Sequence, residues 1–233
     1  MEAITKHADA IIQSTLGPQW NLGLLISKAL GYGIITGSLL LKVPQILKVM
    51  SSKSAESLSA SSIAMENIGF TISLLAGYLL NTPFSTYGES AFILIQNIIL
   101  LVLILKLTGK LGATFVLGSV GYLGFIVGVM KFASPKELNL LLVTIEQHQY
   151  NKIPQIVTLL KNKSVGQLSF ITVFLNFAGS LARVFTTLKE VNNPTILASY
   201  LIGSFLNGVV LTLFFLYWNK KVPARQQVKQ KAN

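Results

Sequence analysis

The chain has no cysteine among its 233 residues. Disulfide scaffolds, thiol nucleophiles, zinc ribbons and iron–sulfur sites are therefore excluded, and thiols carry no information on the redox compartment. With only 2 histidines, no metal site is assigned. Charge is equally scarce: Asp and Glu number 8, and charged residues make up 12% of the chain. That is too little to solvate a soluble domain of this length. Catalytic signatures are missing too. There is no Gly-rich phosphate loop, no Gly-x-Ser-x-Gly, no acidic metal cluster and no pair of carboxylates at a defined spacing. We read neither an enzyme nor a cofactor-binding protein.

What the chain has is apolar length. Hydrophobic residues account for 52% of it, and the mean hydropathy is +0.61. Leu, Ile, Val and Phe gather in runs of about 17 to 24 residues, the length at which a helix crosses the hydrocarbon core. The runs lack the two-residue alternation of a membrane barrel. The fold class expected is an all-α polytopic membrane protein with seven transmembrane helices, at 23–43, 60–80, 89–105, 111–130, 137–159, 167–188 and 195–218. Residues 1–22 contain Glu2, Lys6, His7 and Asp9, too polar for a cleavable signal. They read as a short interfacial segment.

The net charge of +11 comes from 19 Lys and Arg residues, placed in short loops and a tail without an aromatic-interleaved basic face. Nucleic acid is not an expected partner. One face collects Lys42, Lys48, Lys53, Lys106, Lys110, Lys152, Lys161, Lys163, Lys220, Lys221, Arg225, Lys229 and Lys231; the other holds Lys6, Lys28, Lys131, Lys136 and Lys189. By the positive-inside rule the C-terminus is cytosolic and, with seven spans, the N-terminus lies opposite. The sequon at Asn162 then stays cytosolic and unmodified.

The chain is also built twice. Lys42-Val43-Pro44-Gln45 returns as Lys152-Ile153-Pro154-Gln155, and in the same register, without a gap, Leu58-Ser59 meets Leu168-Ser169, Gly69 meets Gly179 and Asn97 meets Asn207. Residues 23–105 and 137–218 form two three-helix repeats, 111–130 is a Gly-rich linker helix, and 219–233 is a basic cytosolic tail. An odd-numbered unit repeated through one linker helix gives parallel copies in a 3+1+3 order.

Several residues are candidates for chemistry inside this body. Pro44 and Pro154 break or kink their helices, and Gln45 and Gln155 offer amides to the freed carbonyls; hinge and terminator are both open readings. Asn97 and Asn207 must bond to another helix, water or substrate if buried in lipid. Glu66, opposite Asn176 in the repeat, should face the bundle interior or an aqueous cavity. Arg183 is placed to bind a phosphate or to snorkel to the interface. Glu146-Gln147-His148-Gln149-Tyr150-Asn151-Lys152 interrupts the fifth span. Either it lines a cavity in which Glu146 or His148 grips a polar head group, or it is interfacial.

The paired Pro-Gln resembles the PQ-loop family, which includes the SWEET sugar transporters and the cystine exporter cystinosin. Within that family Lys53–Ser59, Pro83–Glu89, Gly166–Leu175, Gly179–Thr186 and Tyr217–Asn219 are similar to the mannose-phosphate-dolichol utilisation defect proteins. The resemblance implies an endoplasmic-reticulum protein needed for dolichol-phosphate-mannose and dolichol-phosphate-glucose to act as lumenal donors for N-glycans, GPI anchors and mannosylation. It also implies a substrate-contacting role for Asn97 or Asn207. Lys229 and Lys231 match a Lys-x-Lys-x-x retrieval signal, read by coat machinery on a cytosolic tail. Membrane lipid, dolichol-phosphate sugars and glycosyltransferases are the further partner classes. A small-molecule transporter for sugars, or a proton-coupled one for amino acids, is the alternative.

Overall fold

A computed structural model of the chain describes residues 2–55, 58–146, 152–165, 168–191 and 193–218, and among them every regular element is helical. The helices are α1 (Glu2–Leu16), α2 (Leu22–Ser38), α3 (Val43–Ser52), α4 (Ala60–Leu79), α5 (Gly88–Leu107), α6 (Ala113–Phe132), α7 (Pro135–Glu146), α8 (Lys152–Asn162), α9 (Phe170–Glu190) and α10 (Pro194–Tyr217). A single 3₁₀ turn, Phe84–Thr86, precedes α5. The chain forms two compact units. The first comprises residues up to Leu142 together with Lys189–Asn192, and the second comprises Val143–Leu188 with the residues from Asn193 onward.

Among the described residues, six stretches are long and apolar enough to cross a membrane: Leu22–Ser52, Ala60–Leu79, Gly88–Leu107, Phe115–Phe132, Phe170–Glu190 and Pro194–Tyr217. The chain is thus a multi-pass membrane protein. The first stretch is α2 and α3 together, running on well past the expected end at residue 43. The stretch expected as a fifth span, 137–159, is described as α7 up to Glu146 and as α8 from Lys152. Residues 147–151, which hold His148, lie outside the described residues.

In the first unit α5 is the central element and packs against α2, α3 and α4. Its inner side buries Ile93, Leu100 and Ile104. A glycine is needed where α2 meets the 3₁₀ turn, because a Cβ on Gly31 would lie 2.6 Å from the Ser85 carbonyl oxygen. Along α6, Gly118, Gly121, Gly124 and Gly128 have nothing within 4 Å of the Cβ position. Close approach occurs at Gly31, on α2. The polar start of the chain forms α1, and Asp9 accepts a hydrogen bond from the Leu22 backbone N–H at 2.7 Å.

The sequence duplication has a counterpart inside each unit. One buried cluster of the first unit contains Val49, Ala55, Ile63, Leu100 and Ile104, with Ile46, Leu58, Ala60, Leu101 and Leu103 packed against it. In the register that sets Lys42 on Lys152, each of these meets a member of the second unit's cluster. Val49 meets Leu159, Ile63 meets Val173, Leu100 meets Val210, Ile104 meets Phe214, and the remaining positions follow in step. The loops repeat as well. Lys53 and Lys163 both take the left-handed conformation, with φ of 50° and 47°, as each closes its short helix. The next turn is held by Leu58 N–H to Ala55 O in one unit and Leu168 N–H to Val165 O in the other.

Candidate functional site

The first apolar stretch is broken between α2 and α3. Leu39, Leu40 and Leu41 donate to the carbonyls of Thr36, Gly37 and Ser38, three successive tightened turns at 3.2 to 3.3 Å. Pro44 follows the break, in the first positions of α3, where a missing N–H leaves nothing unsatisfied. The proline therefore stands at the start of a helix, just after the break. Pro154 lies at the start of the described part of α8.

The polar groups freed by this break are held from α5 and α4. Gln96 donates from Nε2 to the Ser38 carbonyl at 2.8 Å and to the Phe92 carbonyl at 3.0 Å, and its Oε1 accepts from the Lys42 N–H at 2.9 Å. The side chain of Lys42 turns to Glu66, with Nζ at 2.9 and 3.0 Å from the two carboxylate oxygens. Gln45 and Gln155 are half-buried, and the capping role expected of Gln45 belongs to Gln96. Glu66 thus meets its counter-ion on the adjoining break, as a charge in an apolar bundle requires.

Next to Gln96, Asn97 is completely buried, and neither its Oδ1 nor its Nδ2 has a protein partner. Asn67 on α4 is also buried, with an unpartnered Oδ1. Buried amide atoms of this kind are sites for water or for a ligand's polar groups. Beyond them Thr71 and Tyr122 join α4 to α6 through their hydroxyls. In the second unit Asn207 is buried on α10, while Asn176 is exposed on α9. Phe177 lies across the face of Gly208, at 3.1 Å from where its Cβ would stand. Arg183 is 8% exposed, a buried position that snorkelling does not describe. Glu146 ends α7, and its side chain, His148, Lys229 and Lys231 lie outside the described residues.

A second polar group was not legible as a site in the sequence. Glu190, with a side chain 1% exposed, accepts from Ser27 Oγ at 2.5 Å, from Lys28 Nζ at 2.6 Å and from Ser85 Oγ. Lys28 also donates to Ser85 at 3.0 Å. In the sequence Lys28 marks only the lysine-poor face. The usable signal was a lysine inside an apolar run, which demands a counter-ion within reach.

Comparison with known proteins places these features. The PQ loop repeat model matches residues 26–86 and 151–196, so each match takes in one of the two Pro-Gln pairs. Solute carrier family 66 member 3 of Homo sapiens is 30% identical over 181 residues, covering 77% of this chain and 88% of that protein.

Proposed function

The chain belongs to the PQ-loop family of membrane proteins, and on that premise we propose that it makes dolichol-phosphate-linked mannose and glucose usable in the lumen of the endoplasmic reticulum. The sugar-phosphate head is handled by the helical body while the polyprenyl tail stays in lipid. Seven spans in a 3+1+3 order put the N-terminus in the lumen and the tail, with Lys229 and Lys231, in the cytosol. The observation that carries this reading is the set of dispersed blocks similar to the mannose-phosphate-dolichol utilisation defect proteins. One of them, Lys53–Ser59, stands between α3 and α4, and another, Gly166–Leu175, includes the first turn of α9. The unpartnered amide of Asn97 supports it, because a sugar hydroxyl both donates to and accepts from such a group.

A solute transporter is the second reading. It is favoured by the relative that carries the solute carrier name, since 88% of that protein is covered. Reconstitution separates the two. The purified chain in sealed vesicles either alters the leaflet exposure of a dolichol-phosphate sugar or drives uptake of a free sugar or amino acid. Uptake without any effect on the lipid-linked sugar would remove the first reading. Binding of the lipid-linked sugar without a change of leaflet would make the chain a presenting partner of lumenal glycosyltransferases.

A further inference from the structure

The two repeats share a scaffold and differ in one charge. In the first, Lys42, just before α3, has Nζ 2.9 Å from Oε1 of Glu66 on α4, so the cation carries its own counter-ion. In the second, the matched cluster positions put Lys152 and Asn176 at the equivalent places on α8 and α9. The cation is kept and the carboxylate is lost. Gln96, which brackets the first break, is replaced by Leu206 at the matching position. Lys152 is half-buried, and among the described residues no ion pair reaches it. An ammonium partly withdrawn from water, with no carboxylate beside it among the described residues, is a position that attracts an anion. Asn176 is exposed on α9, with an amide that donates where Glu66 only accepts.

We infer that the second repeat is an anion site in which Lys152 and Asn176 receive a phosphate group, while the first repeat is kept closed to anions by Glu66. The internal comparison carries the inference: on the same local scaffold, the matching lysine holds a carboxylate. Which phosphate arrives rests on the dolichol-phosphate reading of the chain; the existence of the site does not. A lipid headgroup and a free phosphate present the same chemistry, and the experiment has to tell them apart.

The full chain is placed in nanodiscs of neutral phospholipid doped with a polyprenyl phosphate or with the matching polyprenol, and binding is read by native mass spectrometry and by competition with inorganic phosphate. The phosphate form should bind roughly tenfold or more tightly than the alcohol. Lys152→Gln should remove that difference and Lys152→Arg should keep it. Asn176→Glu, which rebuilds the first repeat's pair, should abolish binding while leaving Lys152 in place; its exposed position keeps the test usable if Lys152→Gln fails to fold. Inorganic phosphate displacing the lipid at lower concentration than the lipid's own would keep the anion site and remove the lipid as its source. Folded Lys152→Gln and Asn176→Glu proteins that bind the phosphate as the unchanged chain does would overturn the site. In cells, a Lys152→Gln chain that binds poorly yet restores lipid-linked sugar use would sink the site's role and spare the dolichol reading. Poor binding with lipid-linked sugars normal even on depletion would do the reverse.

Discussion

Lys42 and Gln96 are joined by a hydrogen bond from the backbone of one to the side chain of the other, 2.9 Å long, and it closes the break between α2 and α3 from the side of α5. The same amide holds the Ser38 carbonyl at 2.8 Å. One side chain therefore satisfies both ends of an interrupted membrane helix, and the interruption is a built feature of the first repeat.

Replacing Gln96 by Leu, the residue at the matching position of the second repeat, should leave the Ser38 carbonyl and the Lys42 N–H without their partner. Each buried group left unsatisfied costs about 1 to 3 kcal/mol. Thermal unfolding in detergent should show a clear loss, with faster hydrogen exchange confined to residues 38–42. Unchanged exchange there would mean that water replaces the amide freely.

The Lys42–Glu66 pair should matter less to stability. Its side chains are 16% and 35% exposed, so Glu66→Gln is expected to cost about 1 kcal/mol or less. The exchange Lys42→Glu with Glu66→Lys should recover what either single change loses. A Glu66→Gln loss larger than that of Gln96→Leu would reverse this order.

Glu190 is a harder case. With its side chain 1% exposed and Lys28 the cation bound to it, Lys28→Met strands a buried carboxylate. Breaking such a pair from one side costs about 3 to 5 kcal/mol. Adding Glu190→Gln to Lys28→Met should restore most of that loss, as a double-mutant cycle on unfolding would read. Additive losses would indicate that the two residues do not act as a pair.

Two glycine substitutions should behave oppositely. Gly31→Ala places a methyl 2.6 Å from the Ser85 carbonyl oxygen, so α2 and the 3₁₀ turn must separate, at about 1 to 3 kcal/mol. Gly124→Ala in α6 meets nothing within 4 Å and should be neutral or slightly stabilising. Equal unfolding midpoints for the two variants would contradict the close approach at Gly31.

The sequence pattern carried the helical class, the membrane character and the duplication, because apolar run length and register are one-dimensional signals. It located Asn97, Asn207 and Glu66 as polar exceptions within apolar runs, and all but Glu66 are buried. Hinge and terminator are both open for Pro44 in the sequence, since Pro-Gln at the edge of a run ends one helix and starts another with equal ease; the bonds of Gln96 place a break just ahead of Pro44. Gln96 itself is one polar residue beside a more conspicuous asparagine, and its partners lie far away in the chain. The cluster at Glu190 is invisible for the same reason, as Ser27, Ser85 and Glu190 come together only through folding. Arg183, for which the sequence leaves phosphate binding and snorkelling both open, is buried.

The central claim is tested most directly by the profile of lipid-linked oligosaccharides in cells depleted of this chain, with and without its re-expression. Intermediates lacking the lumenally added mannose and glucose should accumulate while dolichol-phosphate sugars persist, and re-expression should clear them. A normal profile after depletion would contradict it and leave a small-molecule transporter as the function of the fold.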